Sequence, residues 1–193
     1  MRVLLVDHED SFVHNIEQAI AARGPTVRCL RSTSPTAEAV RFDPDALVLS
    51  PGPGRPSDRR RTRLSRALLD LWEEERPTLG ICLGHQLLAE RYGARVVRAR
   101  APVHGERTRI AHDGRGLFTG VPSPIDVARY HSLVVEARTL PPSLEVSAWG
   151  SGRVVMALRH RRLPVQSVQF HPESYLTVEG PRLFANFLRE ARR

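Results

Sequence analysis

The segment Thr78-Leu-Gly-Ile-Cys-Leu-Gly-His-Gln-Leu-Leu88 holds one cysteine, Cys82, with a glycine two residues away on each side. Gly80-x-Cys82-x-Gly84, placed where an apolar strand pattern gives way to helical spacing, has the form of a nucleophile elbow. So sharp a turn needs small neighbours, because Cβ atoms would clash there, and glycine supplies them. The turn lifts the sulfur above the strand end and sets it at a helix N-terminus, where unpaired N–H groups favour thiolate over thiol. The backbone N–H of Leu83 then points where the oxyanion of a tetrahedral intermediate would form. The other cysteine, Cys29 in Val27-Arg-Cys-Leu30, reads as a small buried hydrophobe.

A thiolate nucleophile needs a partner that moves protons. Gln169-Phe-His-Pro-Glu-Ser174 places His171 and Glu173 just past a strand pattern. Residues i and i+2 of an extended segment point to one side, and Pro172 restricts the backbone between them. Glu173 can thus hold one nitrogen of His171 and leave the other for Cys82, giving nucleophile, base and orienting acid. Taken alone, His-Pro-Glu also fits a surface turn. No second His or Cys stands at metal-ligand spacing, so no metal is expected. A third segment, Leu49-Ser-Pro-Gly-Pro-Gly54, is either a tight turn or a loop whose N–H groups complete an oxyanion hole.

These residues must be carried by a scaffold. Arg2–Asp7, Thr26–Leu30, Ala46–Leu49 and Thr78–Ile81 read as strands. Between and after them, Ser11–Arg23, Asp58–Glu75 and Leu83–Tyr92 read as helices. The alternation predicts an α/β fold with a mostly parallel, open twisted sheet, flavodoxin-like at its core, and helices on both faces. The second half predicts antiparallel additions at Val96–Arg98, Thr108–Ala111, Ile125–Ala128, Leu144–Trp149, Val154–Arg159 and Val165–Gln169, closed by a helix over Val178–Arg189. No repeat or linker divides residues 1–193, so one domain is expected.

Composition removes several classes of function. All 29 basic residues are arginine, which excludes a P-loop lysine, a Schiff-base lysine and a Ser-Lys pair. Two cysteines cannot frame a disulfide scaffold, and no apolar run approaches the ~20 residues of a membrane helix. A reduced, cytoplasmic protein with no membrane association is expected. The net charge of +8 raises nucleic acid as a partner. Its one dense cluster, Arg59, Arg60, Arg61, Arg63 and Arg66, lies on the helix expected to lead to Trp72, with Asp70 and Glu73 to Glu75 at the far end, and reads as a solvated mixed-charge face.

Five motifs in order, spanning nearly the whole chain, resemble the class I (triad-type) glutamine amidotransferases. They are Asp7-x-x-Asp-Ser-Phe12, Leu49-Ser-Pro-Gly-Pro-Gly54, Gly80-Ile-Cys-Leu-Gly-His-Gln86, Arg129-Tyr-His-Ser-Leu133 and Gln169-Phe-His-Pro-Glu-Ser174. The subgroup that they look like is the glutaminase component of anthranilate synthase and aminodeoxychorismate synthase. The resemblance implies a Cys82-His171-Glu173 triad and oxyanion-hole N–H groups from Gly54 and Leu83. It implies that Gly52, Pro53, Gly54, Gln86, Ser132 and Leu133 hold L-glutamine. Gln86 also lies one helical turn beyond Cys82 on the same face. No cofactor is implied, and the partner implied is a larger chorismate-binding synthase subunit that receives ammonia.

Two other functions use the same residues: a stand-alone triad amidase or γ-glutamyl hydrolase, and an amidotransferase serving another acceptor. Three departures from the family pattern stand out. His8, Glu9 and Val13 replace the usual Asn, Tyr and Thr. His104-Gly-Glu106 replaces His-Gly-Lys, and Tyr175 and Val178 are unusual after the last motif. None touches the triad, and all bear on which synthase is recognised.

Overall fold

The computed structural model describes residues 1–192, except for the side chains of residues 100–104. The side chain of His104 therefore lies outside the described residues. In chain order the elements are β1 (Arg2–Asp7), α1 (Val13–Ala21), β2 (Thr26–Arg31), α2 (Thr36–Phe42), β3 (Ala46–Leu49), α3 (Arg63–Trp72), β4 (Thr78–Ile81) and α4 (Leu83–Arg91). They continue as β5 (Val96–His112), β6 (Ile125–Val135), β7 (Leu144–Gly150), β8 (Val154–His160), β9 (Val165–Val168) and α5 (Gly180–Glu190).

The nine strands form one sheet ordered β2-β1-β3-β4-β9-β8-β7-β5-β6. Pairing is parallel from β2 through β9 and antiparallel from β9 to β6. The parallel part has the doubly wound order of flavodoxin-like sheets. Its strands are apolar throughout because both faces are covered. Val3, Leu5, Ala46 and Val48 pack on one face with Ile16 and Ile20 of α1 and Leu183, Phe184 and Phe187 of α5. Leu4, Val6, Leu47 and Leu49 pack on the other with Leu64 and Leu68 of α3 and Leu87 of α4. A fully buried Leu or Phe contributes about 1.5–3 kcal/mol, so these two layers dominate what holds the sheet.

The structure departs from the sequence expectation in places with identifiable causes. Helix α2 was not expected; Ala39 is its one fully buried residue, so the apolar periodicity that marks a helix is missing. Helix α3 begins later, at Arg63. Asp58 Oδ1 accepts the N–H groups of Arg60 and Arg61 at 3.1 and 3.2 Å, which makes the preceding segment a turn and leaves Arg59 to Arg61 off the helix. Two short expected strands join as β5, which pairs along β6 with register shifts after Arg98 and His104. Helix α5 starts at Gly180 with Pro181 in its first turn, a position where the missing N–H costs nothing, so Val178 lies outside it. Among the described residues no helix is long and apolar enough to cross a membrane.

Candidate active site

Cys82 caps α4 at the end of β4 with φ +51° and ψ −98°, a backbone conformation that costs about 1–3 kcal/mol and persists only where the surroundings enforce it. The glycines on either side are required by contact. A Cβ on Gly80 would lie 2.6 Å from the Gly84 carbonyl oxygen, and one on Gly84 would lie 2.8 Å from Leu49 Cβ. The Cys82 N–H donates to the Val168 carbonyl at 2.9 Å, which ties the elbow to the end of β9. The Gln86 N–H donates to the Cys82 carbonyl at 3.1 Å, opening the helix. Cys82 as a whole residue is 7% exposed.

From that tie the chain runs three residues on to His171. The His171 N–H donates to the Ala128 carbonyl of β6 at 3.1 Å. Thr177 Oγ1 donates to the His171 carbonyl at 2.8 Å and accepts the Ala128 N–H at 2.9 Å. His171 is thus clamped to the sheet from both sides. Its Nδ1 lies 2.6 Å from Glu173 Oε1, with both side chains buried. Nε2 is buried without a nitrogen or oxygen partner among the described residues and is left for the sulfur. Burial depresses the imidazolium, yet hydrogen bonds to Cys82 and Glu173 and the charges of both outweigh it. The His171 pKa is held well above its ordinary value. A buried sulfur, an imidazole and a carboxylate in series can transfer an acyl group.

A cavity of about 160 Å³ opens beside Cys82, lined by Gly52, Pro53, Gly54, Leu83, Gln86, Ser132 and Leu133. The candidate oxyanion-hole and glutamine-contact residues thus lie with Cys82 at this cavity, while His171 and Glu173 line a second cavity that shares Tyr130 with it. Gly52 is pressed against His8, where a Cβ would meet His8 Cβ at 2.5 Å, and Gly54 has φ +91°. His8 itself is fully buried, with Nδ1 3.0 Å from the Ser50 carbonyl and Nε2 2.8 Å from Ser65 Oγ, so it braces the start of this loop. Burial drives its pKa down to about 4 despite the Ser50 hydrogen bond and the Asp7 charge. Glu9 accepts from Arg61 Nη1 at 2.7 Å, and the Arg61 stem passes beside Gly54.

On β6, His131 completes the wall. Arg129 Nε–H can only donate, so His131 Nε2 accepts from it at 3.0 Å, and the proton sits on Nδ1, 2.9 Å from the Leu133 carbonyl. The strand expected over Ile125–Ala128 runs on through Tyr130-His-Ser-Leu133, which lies inside β6. The second cavity, of about 230 Å³, lies against His171 and Glu173, with Tyr130, Phe12 and Tyr175 among its lining. Tyr130 meets His171 edge-on at 5.1 Å. Tyr175 and Val178, two of the departures, are 86% and 73% exposed nearby in sequence.

Thr177 was missed as a supporting residue. Thr177 follows the last motif, and the only local signal was a hydroxyl residue a few positions past a histidine. Cys29 is half-buried, and burial pushes its thiol up to about 12, in keeping with a structural residue. Among the described residues no group of three or more His, Cys, Asp or Glu could hold a metal ion.

The sequence profile of class-I glutamine amidotransferases matches residues 4–191. The chain is 42% identical to anthranilate synthase component 2 of Pseudomonas putida, over 98% of each chain. It is 48% identical to aminodeoxychorismate synthase of Streptomyces griseus over 97% of its own length, which is 26% of that longer protein. Among solved structures, a Thermoplasma acidophilum protein assigned to GMP synthase superposes with TM-score 0.90 and 26% identity, covering 100% of this chain and 94% of that one.

Proposed function

The chain belongs to the class-I glutamine amidotransferases, and from that premise we propose that it is the glutaminase subunit of a chorismate-using synthase of the anthranilate or aminodeoxychorismate type. The observation that carries the reading is the buried Glu173-His171 pair, 2.6 Å apart, facing a sulfur on a strained elbow at the wall of a cavity.

In this reading L-glutamine enters the cavity lined by Gly52 to Gly54, Gln86, Ser132 and Leu133. Cys82 attacks the side-chain amide carbon, and the oxyanion that forms is met by the N–H groups of Leu83 and Gly54. His171 delivers a proton to the departing nitrogen, and ammonia leaves. A water deprotonated by His171 then cleaves the glutamyl thioester, releasing glutamate and restoring the thiol. Glu173 holds the imidazole and balances its charge.

The acceptor is proposed from the relatives. Two of the similar proteins carry synthase names, and in one of them the matching segment is a quarter of a longer chain. Ammonia freed into water is mostly protonated at neutral pH and loses its nucleophilic pair. A larger synthase subunit docked over the Cys82 cavity would receive it before that happens. The test is glutamine hydrolysis by the chain alone and with a chorismate-type synthase, alongside a panel of other amides. Hydrolysis that rises with the synthase and is abolished by Cys82→Ala supports the reading. Equal rates with and without it, or preference for another γ-glutamyl amide, would favour a stand-alone hydrolase.

A further inference from the structure

We propose that Gln169 is a positioning residue, one that holds the Cys82 sulfur and couples it to the glutamine cavity through Gln86. The coupling to glutamine rests on the glutaminase reading above; the contacts do not. Gln169 follows β9 directly and is fully buried. Its backbone N–H donates to the Met156 carbonyl at 2.8 Å, which fixes it to β8. Its side-chain Nε2 donates to Cys82 Sγ at 3.7 Å, a hydrogen-bond length for the larger sulfur atom.

The direction of this amide is set from a distance. The Leu133 carbonyl can only accept, so Gln86 must turn its NH₂ group toward it, at 3.2 Å. The same Gln86 nitrogen lies 3.1 Å from Gln169 Oε1 and spends its second hydrogen there. With its oxygen so engaged, Gln169 must present NH₂, not oxygen, to the sulfur. Reversed, a carbonyl dipole would face a developing thiolate and oppose it. In the order found, the Nε2–H contact is weak to a thiol and strong to a thiolate, so it tightens as the proton moves toward His171.

Gln86 and Leu133 both line the cavity, whereas Gln169 does not. A molecule entering the cavity therefore meets the two groups that orient the Gln169 amide. Both hydrogens of Gln86 Nε2 are already committed, so toward such a molecule Gln86 offers its carbonyl oxygen as an acceptor.

The test uses the full chain carrying Cys29→Ala, so that Cys82 is the only thiol, and reads its alkylation by iodoacetamide across the pH range in which thiols titrate. Glutamine hydrolysis with the synthase and thermal unfolding are measured on the same samples. Gln169→Leu is expected to move the alkylation midpoint up by about one pH unit and to slow alkylation at neutral pH roughly tenfold. In hydrolysis it should lower kcat while leaving KM near its starting value. Gln169→Glu is expected to move the midpoint further up, since a carboxylate opposes the thiolate. Gln86→Leu should shift it in the same direction without touching the sulfur, and the double variant no further than Gln169→Leu alone.

An unchanged alkylation profile in a folded Gln169→Leu chain would overturn the proposal, and Gln169→Glu decides in the same way if that chain does not fold. Additive shifts in the double variant would overturn the coupling through Gln86. Shifted alkylation in a chain that hydrolyses no glutamine with any synthase would uphold the positioning and remove the glutaminase reading instead.

Discussion

Glu173 Oε1 and His171 Nδ1 stand 2.6 Å apart, with Pro172 the single residue between them and both side chains shielded from water. The contact is local, but the backbone that makes it is a turn and not the extended segment expected: the Ser174 N–H donates to the His171 carbonyl at 3.3 Å, with Pro172 and Glu173 inside the turn. Because the carboxylate accepts the Nδ1 proton, the opposite nitrogen of the ring is reserved for Cys82.

Glu173→Gln keeps the shape and removes the charge. We expect kcat for glutamine hydrolysis, measured in the assembled complex, to fall on the order of 10²-fold, with KM little changed. The carboxylate is also one of the groups that raise the His171 pKa, so the titration of this imidazole, followed by NMR, should move to lower pH in the variant. A variant turning over at the parent rate would remove Glu173 from the mechanism.

Thr177 tests whether the clamp on His171 matters. Thr177→Val keeps the volume but leaves the buried Ala128 N–H without an acceptor, which costs about 1–3 kcal/mol. Urea unfolding should show that loss, and turnover should drop with it as His171 loosens. Thr177→Ser, which keeps the hydroxyl, should recover most of both. If valine is tolerated as well as serine, the hydroxyl does not hold the histidine.

The elbow should reject a single methyl group. Gly84→Ala drives its Cβ into Leu49, against that residue's carbonyl oxygen, and backbone cannot swing aside as a flexible side chain would. Overpacking of this kind costs roughly 1–3 kcal/mol. Lower stability in denaturant and slower alkylation of Cys82 are both expected. Gly93, where a Cβ would meet nothing within 4 Å, has φ +98° and serves as a control for backbone strain without a clash.

Acid should unfold the protein partly through His8. Its pKa in the folded chain is about 4 against an ordinary 6.5, so the unfolded chain binds the proton more readily. The stability contributed is complete above about pH 6.5 and drains as pH falls toward about 4, on the order of 1.4 kcal/mol per pH unit. His85, also fully buried and lowered to about 3, adds a slope of the same sign in the same window. Unfolding free energies measured across this range should fall less steeply in His8→Asn than in the parent. Parallel curves would mean that His8 is not buried neutral.

What the sequence made legible was local. The two glycines around Cys82, the i, i+2 pair of His171 and Glu173, and the apolar runs of β1, β3 and β4 carry their meaning within a few residues. Helix α2, with Ala39 its only buried residue, gave no periodicity to detect. The continuity of β6 was hidden because Arg129, Tyr130, His131 and Ser132 look like loop, and only pairing with β5 makes them strand. Gln169 was quoted as part of a motif yet given no task, since its partners are 83 and 87 positions away. Contacts of that range depend on the sheet order, which no local pattern contains.

That order has a consequence for the birth of the protein. β9 occupies the middle of the sheet, between β4 and β8, although it is the last of these strands to be synthesised. On the ribosome the nucleophile emerges early, while the slot beside it stays vacant until the rest of the sheet has been translated. Residue 171 is translated 89 positions after residue 82, so the sulfur and its imidazole can meet only once β9 has inserted between strands made before it.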